Sequence, residues 1–361
     1  MLANNTTIEQ PMELNKELIE SIIAEERIKI LFQPIVSTYQ GKVAGVEALA
    51  RGIDNEGQFI PPLRLFEAAA EADLVISLDR LCQRKAMEAF SMRPPKYQDL
   101  ILFLNVDNSV IHLDNNILAI NDYASDVHLS PDQVVLEINE LASADITAVQ
   151  NFVQRYRNLG FMISIDDIGA GYSNLDRIIL LEPDIIKIDR QLIKDVHSEY
   201  YKQQVVEMII RLSEKTGSLV VAEGVEELDE IMMVLQYGAQ LLQGFYISRP
   251  MDMTVTRLED LDDVIAQISE AQKNHLANHL IGKCDFNVRL RDKFHRFNNQ
   301  FKNYDDKLLA NTLEDLLIDF PEIECAYVIN EEGHQMTNTV FNKSLPTLHA
   351  KSLFTPFKKG D

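Results

Sequence analysis

Seven short apolar runs in this chain reach a strongly polar residue at their end or within their last turn. Those residues are Glu47, Asn105, Glu137, Asp166 with Asp167, Lys187, Glu223 and Gln243. One such residue would mean little, because strands must end somewhere and acids commonly cap the helix that follows. Seven ends that all carry oxygen donors or an amine suggest one shared site. With Glu226, six carboxylates would converge on it, and the only basic groups in the set are Lys187 and Arg51. At ~4 Å and an effective dielectric of ~20, each charge pair is worth about 4 kcal/mol. Such a cluster must hold protons or bind cations. Carboxylates with one amide favour a hard divalent ion, Mg2+ or Mn2+, over zinc. More acids than one ion needs suggest two ions ~3.5–4 Å apart, the arrangement that clamps both oxygens of an in-line phosphoryl displacement. Scattered helix caps sharing no site are the competing reading.

The elements that must position these residues are legible from their rhythm. Apolar runs at 29–36, 43–50, 101–106, 134–138, 161–165, 185–189, 218–223 and from 239 to 247 read as eight strands. Longer stretches of helical periodicity follow most of them, which means βα units and parallel pairing. Residues 20–252 match the length of a (β/α)8 TIM-type barrel, typically ~250 residues, whose chemistry sits at the C-terminal ends of the strands. An open doubly wound sheet is the runner-up fold, but the GxGxxG turn it usually carries after its first strand is missing. Residues 1–19 read as a tail and 253–284 as a helical linker. Residues 285–361 read as a partial second α/β domain, in which a hairpin around EEGH (331–334) is followed by too little chain to close a sheet.

Composition limits the partners. Arginine and lysine total 34 against 56 acids, a net charge of -22, which argues against a binder of polymeric nucleic acid. A small anionic substrate stays compatible, because bound cations invert the local charge. The N-terminus lacks the basic and apolar regions of a secretory signal, and no apolar run is long enough for membrane insertion. Cys82, Cys284 and Cys325 lack metal-ligand spacing and read as free thiols, so a cytoplasmic location is expected. His275 and His279 lie four apart on a predicted helix, but with no third ligand near them they read as a solvated face.

The segment EALAR (47–51) resembles the signature of the EAL domains, phosphodiesterases that open cyclic di-GMP to linear pGpG. The resemblance continues through FQPIV (32–36), LNV (104–106), LEINE (136–140), DDIGAGYSNL (166–175), IKIDR (186–190), VAEGVEE (221–227) and LLQGFYISRP (241–250). It implies that Glu47, Asn105, Glu137 and Asp166 hold a first metal ion. Asp166 would bridge to a second ion completed by Asp167 and Glu223. Lys187 would orient or activate the attacking water, so that Lys187, Glu223 and Glu47 form the catalytic set. Gln33, Leu49 and Arg51 would contact the substrate. Gln243 and Glu226 would support the second metal site, and Glu140 would brace the glycine loop.

Ile168, Asn139, Asn174 and Asp107 depart from the family pattern, where phenylalanine, threonine, serine and serine are usual, but none of these changes removes a ligand. A homodimer through the barrel rim is a further implication. The region after residue 253 resembles, over the short stretch VINEEGHQMTNTVF, the PAS-like or Cache-like sensory regions that follow some EAL domains. A catalytically weak cyclic di-GMP receptor is the alternative function.

Overall fold

The computed structural model describes residues 14–342 apart from 112–116, 140–145, 170–174, 254–257, 301–305, 321–322, 324, 331 and 333. The chain divides into two compact units, Met1–Asn274 and His275–Asp361.

In the first unit the strands are β1 (Ile28–Ser37), β2 (Lys42–Ile53), β3 (Phe59–Ile60), β4 (Ile101–Val106), β5 (Val134–Ile138), β6 (Met162–Ile168), β7 (Ile185–Ile188), β8 (Leu219–Ala222) and β9 (Leu241–Leu242). Hydrogen bonding runs in the order β1-β9-β8-β7-β6-β5-β4-β2, and pairing of β1 with β2 closes the barrel. The two-residue β3 adds to β2 outside the closed ring. The eight-stranded barrel expected from the sequence is therefore present.

One strand departs from the all-parallel expectation. β1 runs antiparallel to both of its neighbours, β2 and β9. The reason is the length of its connection. Only residues 38–41 separate β1 from β2. A parallel pair needs a crossover of a dozen or more residues, whereas a short turn can only make a hairpin. From β2 onward the barrel pairs are parallel until β9 returns to β1.

Period-two alternation builds two cores from these strands. In β5 all five residues, VVLEI, are buried, as strands covered on both faces must be. Outward side chains such as Leu102, Leu104, Leu136, Ile163, Ile165 and Ile188 join the helices in the main core. Inward side chains Ile35, Phe103, Val135, Ile185, Val221 and Leu241 form a separate apolar cluster inside the ring. The main core also takes Ile19 and Ile22 from the helix Lys16–Ala24, and Leu258, Leu261, Ile265 and Ile268 from the stretch read as linker.

In the second unit, β10 (Cys325–Ala326) pairs antiparallel with β11 (Val340–Phe341), and Ile329 bridges to Gln335. The helix Asp306–Asp319 supplies Leu313, Leu316 and Leu317 to a small core with Phe320 and Ala326. Among the described residues no helix is long and apolar enough to cross a membrane.

Candidate active site

Alternation places the polar set directly above the inner apolar cluster. Two residues along from Phe103, Val135, Ile185, Val221 and Leu241 stand Asn105, Glu137, Lys187, Glu223 and Gln243. In antiparallel β1 the same step runs backward, from Ile35 to Gln33, which pairs with Glu47 of β2. The apolar residues are thus the floor of the site and the polar residues its working layer. Glu47 lies in the middle of β2, not at its end, because the rest of that strand continues upward against β1 and β3. Leu49 and Arg51 fall on the same face as Glu47, two and four residues nearer the rim.

Asp166 and Asp167 are adjacent in sequence, and regular alternation would send them to opposite faces. The strand avoids this with a β-bulge. Ile165 pairs with Ile186 and Ile168 with Ile188, so β6 uses one residue more than β7 over the same span. Asp167 takes a left-handed backbone, φ 56°, and its amide donates to Asp166 Oδ1 at 3.0 Å. As a result, carboxylate oxygens of Asp166, Asp167 and Glu223 lie within 4.8 Å of one another. Gly169 follows at φ 109°, where an added Cβ would stand 2.2 Å from Leu192 Cδ1. The next five residues of the motif, 170–174, and Glu140 lie outside the described residues.

Lys187 is the electrostatic centre. Its side chain is 1% exposed, and its Nζ stands 2.5 Å from Glu223, 2.6 Å from Glu137, 3.2 Å from Asp166 and 3.4 Å from Glu47. Burial alone would favour the neutral amine, but the four carboxylates outweigh it and hold the ammonium form well above its ordinary range. Glu47 is also buried, yet its carboxyl titrates below the usual range. The Lys187 charge and hydrogen bonds from Gln243 and Asn105 overcome the burial. Asn105 Nδ2 donates to Glu47 Oε1 at 2.9 Å, and Gln243 Nε2 donates to Glu47 Oε2 at 2.6 Å. For Glu137, fully buried, desolvation and the Glu47 charge exceed the pull of Lys187, and its pKa rises well above normal. Burial likewise raises Glu223, with Asp166 and Glu47 adding to the effect against Lys187. One ammonium cannot neutralise this many carboxylates.

Two of the expected members are engaged by other protein groups. Glu226 pairs with Arg190 at 2.8 Å, on an exposed face. Gln33 is tied down inside, its Nε2 donating to the Ser248 carbonyl at 3.1 Å while its Oε1 accepts from Gln243 at 3.2 Å. One supporting residue was missed at the sequence level. Glu230 is buried, and its carboxylate accepts from the amides of Asp195, Glu226 and Glu227, fixing the loop that carries Glu223. Its signal was the capping box formed with Glu227. Ser164 lies two residues before Asp166, on the same inward face.

Gly244 closes the site from the β9 side. A Cβ there would lie 2.2 Å from the Val225 carbonyl oxygen, so only glycine lets the strand end pack on the Glu223 loop. The donor set fits hard divalent cations, all oxygen and mostly charged, with Glu137 Oε2 buried and free of hydrogen bonds among the described residues.

A family model for the EAL domain matches residues 15–250. The chain belongs to the EAL domain family. This EAL chain is 28% identical to the EAL-domain containing protein YkuI of Bacillus subtilis over 329 residues, covering 86% of this chain and 77% of YkuI. That likeness therefore continues past the barrel. It is 30% identical to the cyclic di-GMP phosphodiesterase PA2567 of Pseudomonas aeruginosa over 239 residues, which is 65% of this chain but only 40% of PA2567. The crystal structure of YkuI in complex with substrate c-di-GMP and calcium matches with a TM-score of 0.73 at 25% identity, over 90% of this chain and 82% of that one. BlrP1 of Klebsiella pneumoniae in a manganese and c-di-GMP complex matches with a TM-score of 0.57 at 31% identity, over 62% of this chain and 56% of that one.

The Asp167 carboxyl gives the EAL site a measurable pH response. Burial, then the charges of Asp166 and Asp189, push its pKa up to about 6. A raised acid pKa means that ionisation costs stability as the pH climbs from its ordinary value of 3.8 to about 6, and that the deficit is constant above that. A cation bound at the carboxylate competes with the same proton. Mn2+ affinity is therefore expected to fall as the pH drops through about 6, by about tenfold per pH unit from this group alone, with the raised carboxyls of Glu137 and Glu223 adding to the fall. Calorimetric titrations from pH 5 to 8 check this, and a flat profile contradicts it.

Proposed function

We propose that this chain hydrolyses cyclic di-GMP to linear pGpG with two divalent cations, Mg2+ or Mn2+, held at the barrel rim. The observation that carries the reading is the convergence of Asp166, Asp167 and Glu223 within 4.8 Å, beside Glu47, Asn105 and Glu137 on adjoining strands. Glu47, Asn105, Glu137 and Asp166 would hold the first cation. Asp166 would be shared with a second, completed by Asp167 and Glu223. When bound, such a pair lowers the pKa of water and neutralises charge developing on phosphate oxygens.

The chain's own residues do the rest. Lys187, fixed by four carboxylates, keeps an ammonium beside the attacking water and orients it. Asn105 and Gln243 hold the Glu47 carboxylate in one orientation through its two oxygens. Arg51, nearer the rim, presents a guanidinium to the substrate phosphate. Leu49 offers an apolar surface to the base. The apolar floor of Phe103, Val135, Ile185 and Val221 shuts water out from below.

We assign the C-terminal unit, PAS-like or Cache-like, a role in regulating the barrel, and expect a homodimer. The likeness to YkuI, which extends past residue 250, supports a role for the C-terminal unit. Calorimetry with cyclic di-GMP in Ca2+, run beside turnover in Mg2+, tests the function. Binding with turnover supports a phosphodiesterase, and tight binding with no turnover supports a receptor instead.

A further inference from the structure

Ser164 has no place in the ligand set, yet it stands where that set meets the floor. Its side chain lies on the inward face of β6, two residues below Asp166, and it is 0% exposed. Its neighbour in register on β5 is Glu137, also 0% exposed, and its neighbour on β7 is Ile185 of the apolar floor. Ser164 Oγ forms no hydrogen bond among the described residues. Neither does Glu137 Oε2, while Oε1 faces the Lys187 ammonium at 2.6 Å.

Both groups are fully enclosed, one a donor and one an acceptor, and they belong to register-paired positions on adjacent parallel strands. Side chains so paired share a face and are nearest neighbours across the sheet. A buried hydroxyl without a partner is costly, and natural interiors avoid it. Packing gives no reason for a hydroxyl here, since alanine would fit the same floor without one.

We propose that Ser164 is a positioning residue for Glu137. Its hydroxyl donates to Glu137 Oε2, directly or across one enclosed water, and so turns Oε1 toward the cation. This rests on the reading of Glu137 as a cation ligand. Partners of metal-ligating carboxylates act in this way, and losing one weakens metal binding by roughly 10–100-fold. The hydroxyl also excludes the rotamer in which both carboxylate oxygens turn to Lys187, which would leave the ligand engaged by the ammonium alone.

The test is calorimetric titration of the full chain with Mn2+, in wild type, Ser164→Ala and Ser164→Thr, together with melting curves without metal. For Ser164→Ala the expected result is Mn2+ affinity at least about tenfold weaker, with an unchanged or higher metal-free melting temperature. Ser164→Thr, which keeps the hydroxyl, should recover most of the lost affinity. Wild-type affinity in Ser164→Ala would overturn the assignment. So would an equal loss in both variants accompanied by a lower metal-free melting temperature, which marks a packing role. If the wild type itself binds no divalent cation, the functional reading fails, and the assignment fails with it.

Discussion

Replacing Lys187 by methionine is expected to lower the melting temperature of the metal-free protein by roughly 10 °C or more and to abolish hydrolysis. The cause is uncompensated charge. Lys187 contacts Glu47, Glu137, Asp166 and Glu223, and its side chain is 1% exposed. Removing one partner of a buried ion pair costs about 3–5 kcal/mol, because the other charge remains buried. For a domain of this size each kcal/mol is worth about 2–4 °C. Methionine fills a similar volume, so packing loss contributes little. Mn2+ should then restore much of the lost stability, since cations supply the missing positive charge and bind only the folded cluster. Scanning calorimetry with and without Mn2+ reads both effects. An unchanged metal-free melting temperature would show that the cluster does not depend on the ammonium.

The second large effect belongs to Asp166. In the proposed site its carboxylate is the one shared by both cations; it stands 3.2 Å from Lys187 and is grouped with Asp167 and Glu223. Asp166→Asn keeps the shape and removes the charge. Its Oδ1 acceptor for the Asp167 amide can survive as an amide oxygen, so the bulge need not open. The expected result is a fall in Mn2+ stoichiometry from two to one or none, with pGpG formation reduced ~1,000-fold, about 4 kcal/mol of transition-state stabilisation. Calorimetric stoichiometry and product chromatography measure the two changes independently. Retention of two ions at full affinity would remove Asp166 from the bridging position.

Much of this site could be read from the sequence because strands alternate. A polar residue two places beyond an apolar one recurs from Phe103 and Asn105 to Leu241 and Gln243, and that spacing survives any uncertainty about strand ends. The direction of β1 was legible too, in the four-residue turn at 38–41, but a count of βα units passes over it. The bulge at Asp166 and Asp167 was not legible. It depends on pairing with β7, and only that register brings two adjacent acids to one side.

The family resemblance gives Glu226 a supporting place beside the second metal site. Its ion-pair partner, Arg190, opens the short helix Arg190–Ile193 after β7 and could be found only in three dimensions. The stretch Leu258–Ile268 reads as a linker because it is helical and follows the last barrel strand. Its apolar residues at helical spacing, Leu258, Leu261, Ile265 and Ile268, nevertheless reach the barrel core.

The most direct test of the chemistry is to incubate the purified chain with cyclic di-GMP and Mn2+ and follow linear pGpG, beside a Glu47→Ala control. Hydrolysis by the rim cluster requires steady pGpG formation by the wild type and almost none by the control, whose Asn105, Lys187 and Gln243 have lost their shared carboxylate. No product above the Glu47→Ala level, with Mg2+ or Mn2+, would contradict it.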